Sequence, residues 1–130
     1  LGHGDILVEL LIPPPLPRCG AAYARHTPRA RMDIAVVGVA ALVSLDEAGR
    51  MAEARIALGA VAPTPIRARQ AEAALMGRLP TEDVLEEAAR LAQEECSPIS
   101  DVRGSAAFRR HLVGVMTKRM LKEALARAGG

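Results

Sequence analysis

Two side chains early in the chain have the types and the spacing for ligand chemistry. Tyr23 and Arg25 alternate within Gly20–Thr27 (G-A-A-Y-A-R-H-T), a stretch that reads as a strand and is ended by Pro28. Alternate residues of a strand share a face, so the phenol ring and the guanidinium would stand side by side, with His26 following on the same strand. A ring and a guanidinium on one face suit a planar, electron-rich, anionic ligand. The same pair also suits a plainer use, a sheet-edge pair covering the core, and the residues alone favour that use.

Other catalytic chemistry is thin. His3, His26 and His111 share no ligand spacing with one another or with Cys19 and Cys96, so no metal site is expected. There is no G-x-S-x-G elbow and no nucleophile set beside a base. Gly2-His3-Gly4 lacks the third glycine and the preceding strand of a phosphate loop. Met116 and Met120 read as core residues. Two cysteines far apart in sequence are neither a disulfide framework nor a metal knuckle, which makes a reducing, cytoplasmic compartment the default.

The elements that must position Tyr23 and Arg25 follow a simple order. Asp5–Ile12 (D-I-L-V-E-L-L-I) reads as a first strand, stopped by Pro13-Pro14-Pro15, and Gly20–Thr27 as a weaker second one. Asp33–Leu45 carries the strongest strand signal and is apolar on both parities, as expected of a central strand covered on both faces. Asp46–Arg50 is a turn, and Ala52–Ala62 reads as a fourth strand. Its Ile56 and Leu58 point one way, while Ala57, Gly59 and Val61 leave a smooth opposite face.

Pro63-Thr64-Pro65 ends the period-two pattern. A first helix is predicted from Arg67 to near Gly77, with Ala68, Ala71, Ala74 and Leu75 on one side. A second starts at the N-cap Thr81 and carries the stripe Val84, Leu85, Ala88, Leu91, Ala92 and Cys96. A third starts at the N-cap Ser105, with Phe108, Leu112, Val115, Met116, Met120, Ala124 and Leu125 as its apolar stripe. Strands followed by helices predict an α+β two-layer sandwich, a three- to four-stranded antiparallel sheet followed by three helices. Residues 1–130 form a single domain, with the sheet half in 1–66 and the helical half in 67–130.

Composition narrows the function classes. Of 130 residues, 50% are hydrophobic and 25% charged, the balance of a folded domain. The aromatic share is 2%, Tyr23 and Phe108 alone, too few for a base-stacking platform, and the net charge of +2 is weak for a nucleic-acid partner. The longest apolar run, Ile34–Val43, is ten residues, about half of a membrane span. Charge is nonetheless patterned. No acid lies between Glu9 and Asp33, where Arg18, Arg25, Arg29 and Arg31 stand. The second helix is acidic and the third basic, which predicts two complementary helices lying side by side. Asp101, Arg103 and Arg109 are expected to form a salt-bridged cap on the last helix rather than a subunit contact.

Four stretches together resemble a known family. They are Gly4-Asp5-Ile6-Leu7 running to Ile12-Pro13, and Tyr23-Ala24-Arg25 with Arg29, Met32, Asp33, Ile34 and Ala35. The others are Ala54-Arg55-Ile56-Ala57-Leu58-Gly59-Ala60-Val61-Ala62-Pro63-Thr64-Pro65-Ile66-Arg67-Ala68 and Asp101-Val102-Arg103-Gly104-Ser105-Ala106-Ala107-Phe108-Arg109-Arg110. In this order and spacing they resemble the C-terminal domain of the FAD-binding medium subunit of molybdenum hydroxylases, the carbon monoxide dehydrogenase and xanthine dehydrogenase type.

The resemblance implies an electron-relaying role beside FAD, which an N-terminal module of the same polypeptide would mainly hold. That missing neighbour would account for a chain that begins with Leu1 and for the doubly apolar strand. The further partners implied are a molybdopterin-binding large subunit and a 2Fe-2S small subunit. By the family's pattern Leu7 would touch the flavin region. Arg25, more often lysine in these proteins, would approach the isoalloxazine ring, with Tyr23 beside it. Asp5 replaces a more usual glutamate. The alternative from the residues alone is an independent module with no redox role that dimerises through its sheet face.

Overall fold

The computed structural model describes residues 2–29 and 33–129, so Leu1, Arg31 and Met32 of the sequence reading lie outside it. Three long strands, β1 (Cys19–His26), β2 (Val37–Leu45) and β3 (Met51–Gly59), and a two-residue β4 (Ile66–Arg67) form one sheet in the order β1-β2-β3-β4. All neighbours are antiparallel. Three helices follow: α1 (Arg69–Leu75), α2 (Glu82–Glu95) and α3 (Ala106–Ala128). This is the expected two-layer α+β sandwich, reached with a different set of four strands.

Asp5–Ile12 is not a strand. It is extended and solvent-exposed, with Ile6, Val8, Leu10, Leu11 and Ile12 all at least 79% exposed. A strand exists only through a ladder, and Pro13-Pro14-Pro15 and Pro17 withhold the amides that could continue one into β1. The fourth strand is instead Ile66–Arg67, too short to show a period. Likewise β2 begins at Val37 and not at Asp33. The Asp33 carboxylate accepts from Arg29 N at 3.1 Å, Arg29 Nε at 3.2 Å and Ile34 N at 2.8 Å, local bonds made ahead of the ladder. The Arg29 hydrogen bond holds its carboxyl below the usual range.

The core lies between one sheet face and the helices. Val37, Val39, Val43, Ile56 and Leu58 supply the sheet side, and Leu75, Leu85, Val113, Met120 and Leu121 the helix side. β1 approaches α3 closely: a Cβ on Gly20 would lie 2.0 Å from the Ala124 carbonyl oxygen. Only glycine permits that contact. The buried face of α3 runs through Arg109, Val113, Met116, Thr117, Met120, Leu121 and Ala124. It is therefore turned from the predicted stripe, and Phe108 and Val115 are exposed.

The reason for that turn is Arg109. Its Nη1 donates to the carbonyls of Val36 at 3.1 Å and Ala60 at 3.3 Å, and its Nη2 pairs with Asp101 at 2.6 Å. The guanidinium ties the helix to the ends of β2 and β3, as the expected Asp101–Arg103–Arg109 cap requires; Arg103 reaches Asp101 at 3.7 Å. The Arg109 hydrogen bond pulls the Asp101 carboxyl below the ordinary carboxylate range. At Ala60 the backbone turns left-handed (φ 62), which breaks the alternation and carries Val61 into the core instead of onto the smooth face.

The complementary helices pack side by side as expected. Lys118 reaches Glu82 at 2.8 Å and also Glu86, and Lys122 reaches Glu82 at 2.7 Å. Ser105 caps α3, accepting from Phe108 N at 3.1 Å. Thr81 precedes α2 but its side chain makes no capping bond. At the start of α1, the Glu95 carboxylate from α2 takes that part, accepting from the amides of Gln70 and Ala71 at 3.0 and 3.1 Å.

Candidate functional site

The sheet face opposite the helices is open, and Tyr23 and Arg25 stand on it. Their cross-strand partners are Ala40 and Gly38, which in turn pair with Ala57 and Gly59 of β3. The floor of this face is thus Gly38, Ala40, Ala57 and Gly59, with Tyr23 and Pro65 as walls of a slot of about 200 Å³. A Cβ on Gly38 would lie 3.4 Å from Tyr23 Oη and 3.7 Å from its ring, so the glycine leaves room for the phenol over the strand. A wider cleft of about 550 Å³ adjoins it, lined by Ala21, Tyr23, Ala40, Leu42, Arg55, Ala57, Arg67 and Arg127.

The arginines of this face differ in their freedom. Arg55 pairs with Glu53 at 2.8 Å, a bond that raises its already high pKa. Arg67 donates through Nε to the buried Glu72 carboxylate at 2.5 Å, and the same oxygen accepts from Ile56 N at 2.8 Å. Arg127 pairs with Glu123 and donates to the Ala21 carbonyl. The exposed Arg25 side chain has no hydrogen bond or ion pair to any described residue. It is a cation with its donors unspent, beside a ring that is 65% exposed.

The structure sets Tyr23 and Arg25 on one face of the edge strand, as the plainer assignment had it, although only Tyr23 lines the clefts. They sit on the edge strand, but on the face away from the core. His26 belongs to the other parity and packs edge-on against Phe108, with ring centroids 6.1 Å apart. Leu7 is not brought to them. It sits in the exposed N-terminal segment, is 59% exposed, and lines neither cleft.

Gly38 and Arg67 were missed as parts of this face, and Glu72 as the buried carboxylate that holds Arg67. A lone glycine inside the strongest strand was the signal for Gly38. The Arg67–Glu72 pair spans a strand and a helix, so no periodicity announces it. Among the described residues no cluster of three or more His, Cys, Asp or Glu could hold a metal ion. No helix among the described residues is long and apolar enough to cross a membrane. Cys96 is buried, which pushes its thiol pKa up.

Fold and face together define a class: a two-layer α+β domain whose sheet is covered on one side and bare and apolar on the other. Residues 22–124 match the CO dehydrogenase flavoprotein C-terminal domain family, and the chain belongs to it. It is 39% identical, over its whole length, to 44% of a putative xanthine dehydrogenase FAD-binding subunit of Escherichia coli. It is 34% identical, over 96% of its length, to 43% of a carbon monoxide dehydrogenase medium chain of Afipia carboxidovorans. The chain thus spans less than half the length of these relatives.

Among solved structures, reconstituted CO dehydrogenase from Oligotropha carboxidovorans superposes with a TM-score of 0.83 at 34% identity, over 89% of this chain and 40% of that one. Quinoline 2-oxidoreductase from Pseudomonas putida 86 gives a TM-score of 0.79 at 35% identity, over 88% and 39%. The relatives are FAD-binding or medium subunits of dehydrogenases, and the sheet and three helices seen here are the architecture of this family.

Proposed function

We propose that this chain is the C-terminal domain of a longer FAD-binding subunit in a molybdenum-hydroxylase-type oxidoreductase, where it serves electron transfer from the complex to an acceptor. The observation that carries this reading is the bare apolar sheet face with the unpaired Arg25, in a domain homologous to less than half of FAD-binding subunits. The residues present fit the ring side of a flavin and not its diphosphate. Arg25 offers free donors to an electron-rich heteroaromatic, Tyr23 offers an aromatic face, and the floor beneath is flat and small. The glycines of that floor lie in strand backbone, not in a phosphate-binding loop before a helix.

FAD, when bound, supplies the redox chemistry, and this chain's share is orientation and electrostatics. Arg25 holds a permanent positive charge where anionic character develops on reduction, and an arginine there has no titratable amine to lose. Tyr23 holds the neighbouring surface apolar and flat. Leu7 lies away from that face in the structure, so this reading assigns it no contact there. The remaining partners are the N-terminal FAD domain of the same polypeptide, a molybdopterin-binding large subunit and a 2Fe-2S small subunit, in the cytoplasm, with no nucleic acid and no membrane span.

The test is isolation of the native protein from its own cells, read by native mass and visible absorption. A flavin spectrum with iron–sulfur features, in a particle with two other subunits, is expected. A colourless particle of 13.7 kDa or a simple multiple of it overturns the reading in favour of a dimerising module. In the intact subunit, Arg25→Met should lower the flavin midpoint potential, and an unchanged potential removes Arg25 from the site.

A further inference from the structure

One end of the molecule gathers cations and apolar surface that neither the core nor the bare sheet face uses. There β2 begins, β3 ends and α3 starts. A cleft of about 330 Å³ opens between them, walled by Ile34, Ala60, Pro63 and Ile99, with Asp101, Arg103 and Arg109 also lining it. Arg109 is only 4% exposed, and its Nε has no hydrogen-bond partner among the described residues, although Nη1 and Nη2 are engaged. A buried donor on a cation is costly to leave unmade. Arg103 meets Asp101 only at 3.7 Å, so its fork is largely unspent. Two guanidiniums against one carboxylate leave the cleft with a net positive charge.

The helix adds to that excess. The positive end of the α3 dipole lies here, and its first turn holds no acidic residue, while Arg109 and Arg110 stand in its opening residues. For an isolated helix that placement is unfavourable. Around the cleft, Ile34 is 62% exposed, Ile99 71% and Val102 97%. Val102 sits at the tip of a turn closed by reciprocal Asp101–Gly104 backbone bonds of 3.1 Å and a 2.8 Å bond from Arg103 N to the Asp101 carboxylate. An apolar side chain held out on a braced turn has little ordering entropy left to lose on contact.

We propose that this cleft is a subunit contact that receives a carboxylate side chain, set among apolar residues, from a partner subunit of the complex. Arginine is enriched at interfaces, and the buried centre of an interface is more apolar than its rim. A free inorganic anion would leave Val102, Ile99 and Ile34 in water. The inference rests on the proposed function for the existence of partner subunits. It goes beyond it in assigning the surface and the chemistry that meets it. Asp101 and Arg109 then have two uses: bracing the helix, and presenting Arg103 and Val102.

The test uses the native complex with a photo-crosslinking benzophenone side chain at position 102, read by mass spectrometry of the linked peptides. The expected product joins position 102 to a partner-subunit segment containing Asp or Glu. Arg103→Glu should then weaken retention of that subunit about tenfold or more, with the flavin content of its own subunit unchanged. Reversing the linked acid to arginine should restore retention. Crosslinks to a second copy, to the same polypeptide or to a segment without an acid overturn the proposal. So does an intact complex that is indifferent to Arg103→Glu. If the native protein carries no partner subunits at all, the proposed function fails with it; an intact complex linked elsewhere sinks only this contact.

Discussion

The two faces of one sheet are built from different residues and meet different environments. On the helix side Val37, Val39, Val43 and Ile56 are wholly buried. On the other side Ala40, Leu42 and Ala57 are only partly covered and Tyr23 projects into solvent. The doubly apolar pattern of β2 therefore implies two covering layers, of which the described residues form one. The difference separates stability from assembly. Residues of the covered face hold this domain together, and on the proposed function residues of the bare face answer to a neighbour.

That separation is open to attack from its strongest side. Ile56→Ala, on the covered face, should destabilise the chain by about 2–5 kcal/mol in chemical denaturation, because a buried side chain is lost and a cavity remains. A loss below about 1 kcal/mol would mean that the helices do not seal this face. Glu72→Gln comes next. Its carboxylate links α1 to both Ile56 N and Arg67, so leaving a partly buried donor weakly met should cost about 1–3 kcal/mol in the same assay.

On the bare face, Leu42→Ser should change stability by less than about 0.5 kcal/mol while reducing binding of an apolar dye and any self-association. A large loss of stability there would erase the distinction between the faces. The smallest effect belongs to the rim of the helical layer. Bonds from Lys118 and Lys122 lower the Glu82 pKa from 4.5 to about 2. A depressed carboxylate contributes above its unfolded value and loses that contribution as pH falls, so the seam should weaken between about pH 4.5 and 2. The pair is exposed and salt-screened, so the loss should show in a titration of Glu82 itself and barely in the unfolding midpoint.

Much of the fold was legible because it is written in short-range patterns. The alternating or continuously apolar runs of β1 to β3, the change of period after Pro65 and the caps Thr81 and Ser105 are local signals, and the elements fall within a few residues of them. Where reading failed, a longer-range fact decided. Asp5–Ile12 has a strand's composition but no ladder partner among the described residues. The stripe of α3 is turned because Arg109 needs two backbone acceptors, at Val36 and Ala60, far away in sequence. At the candidate site, the shared face of Tyr23 and Arg25 followed from alternation alone. Which way that face points did not, since exposure is a property of what packs behind it.

Residue order by itself thus determined the α+β class, the complementary charges of α2 and α3, and the family resemblance carried by its motifs. Only the tertiary structure decided which sheet face the helices cover, which arginines are spent on carboxylates, and that Arg25 meets no partner among the described residues. The physical reason is that helices and strands are proposed by interactions over a few residues, whereas burial and ion pairing depend on contacts between segments tens of residues apart.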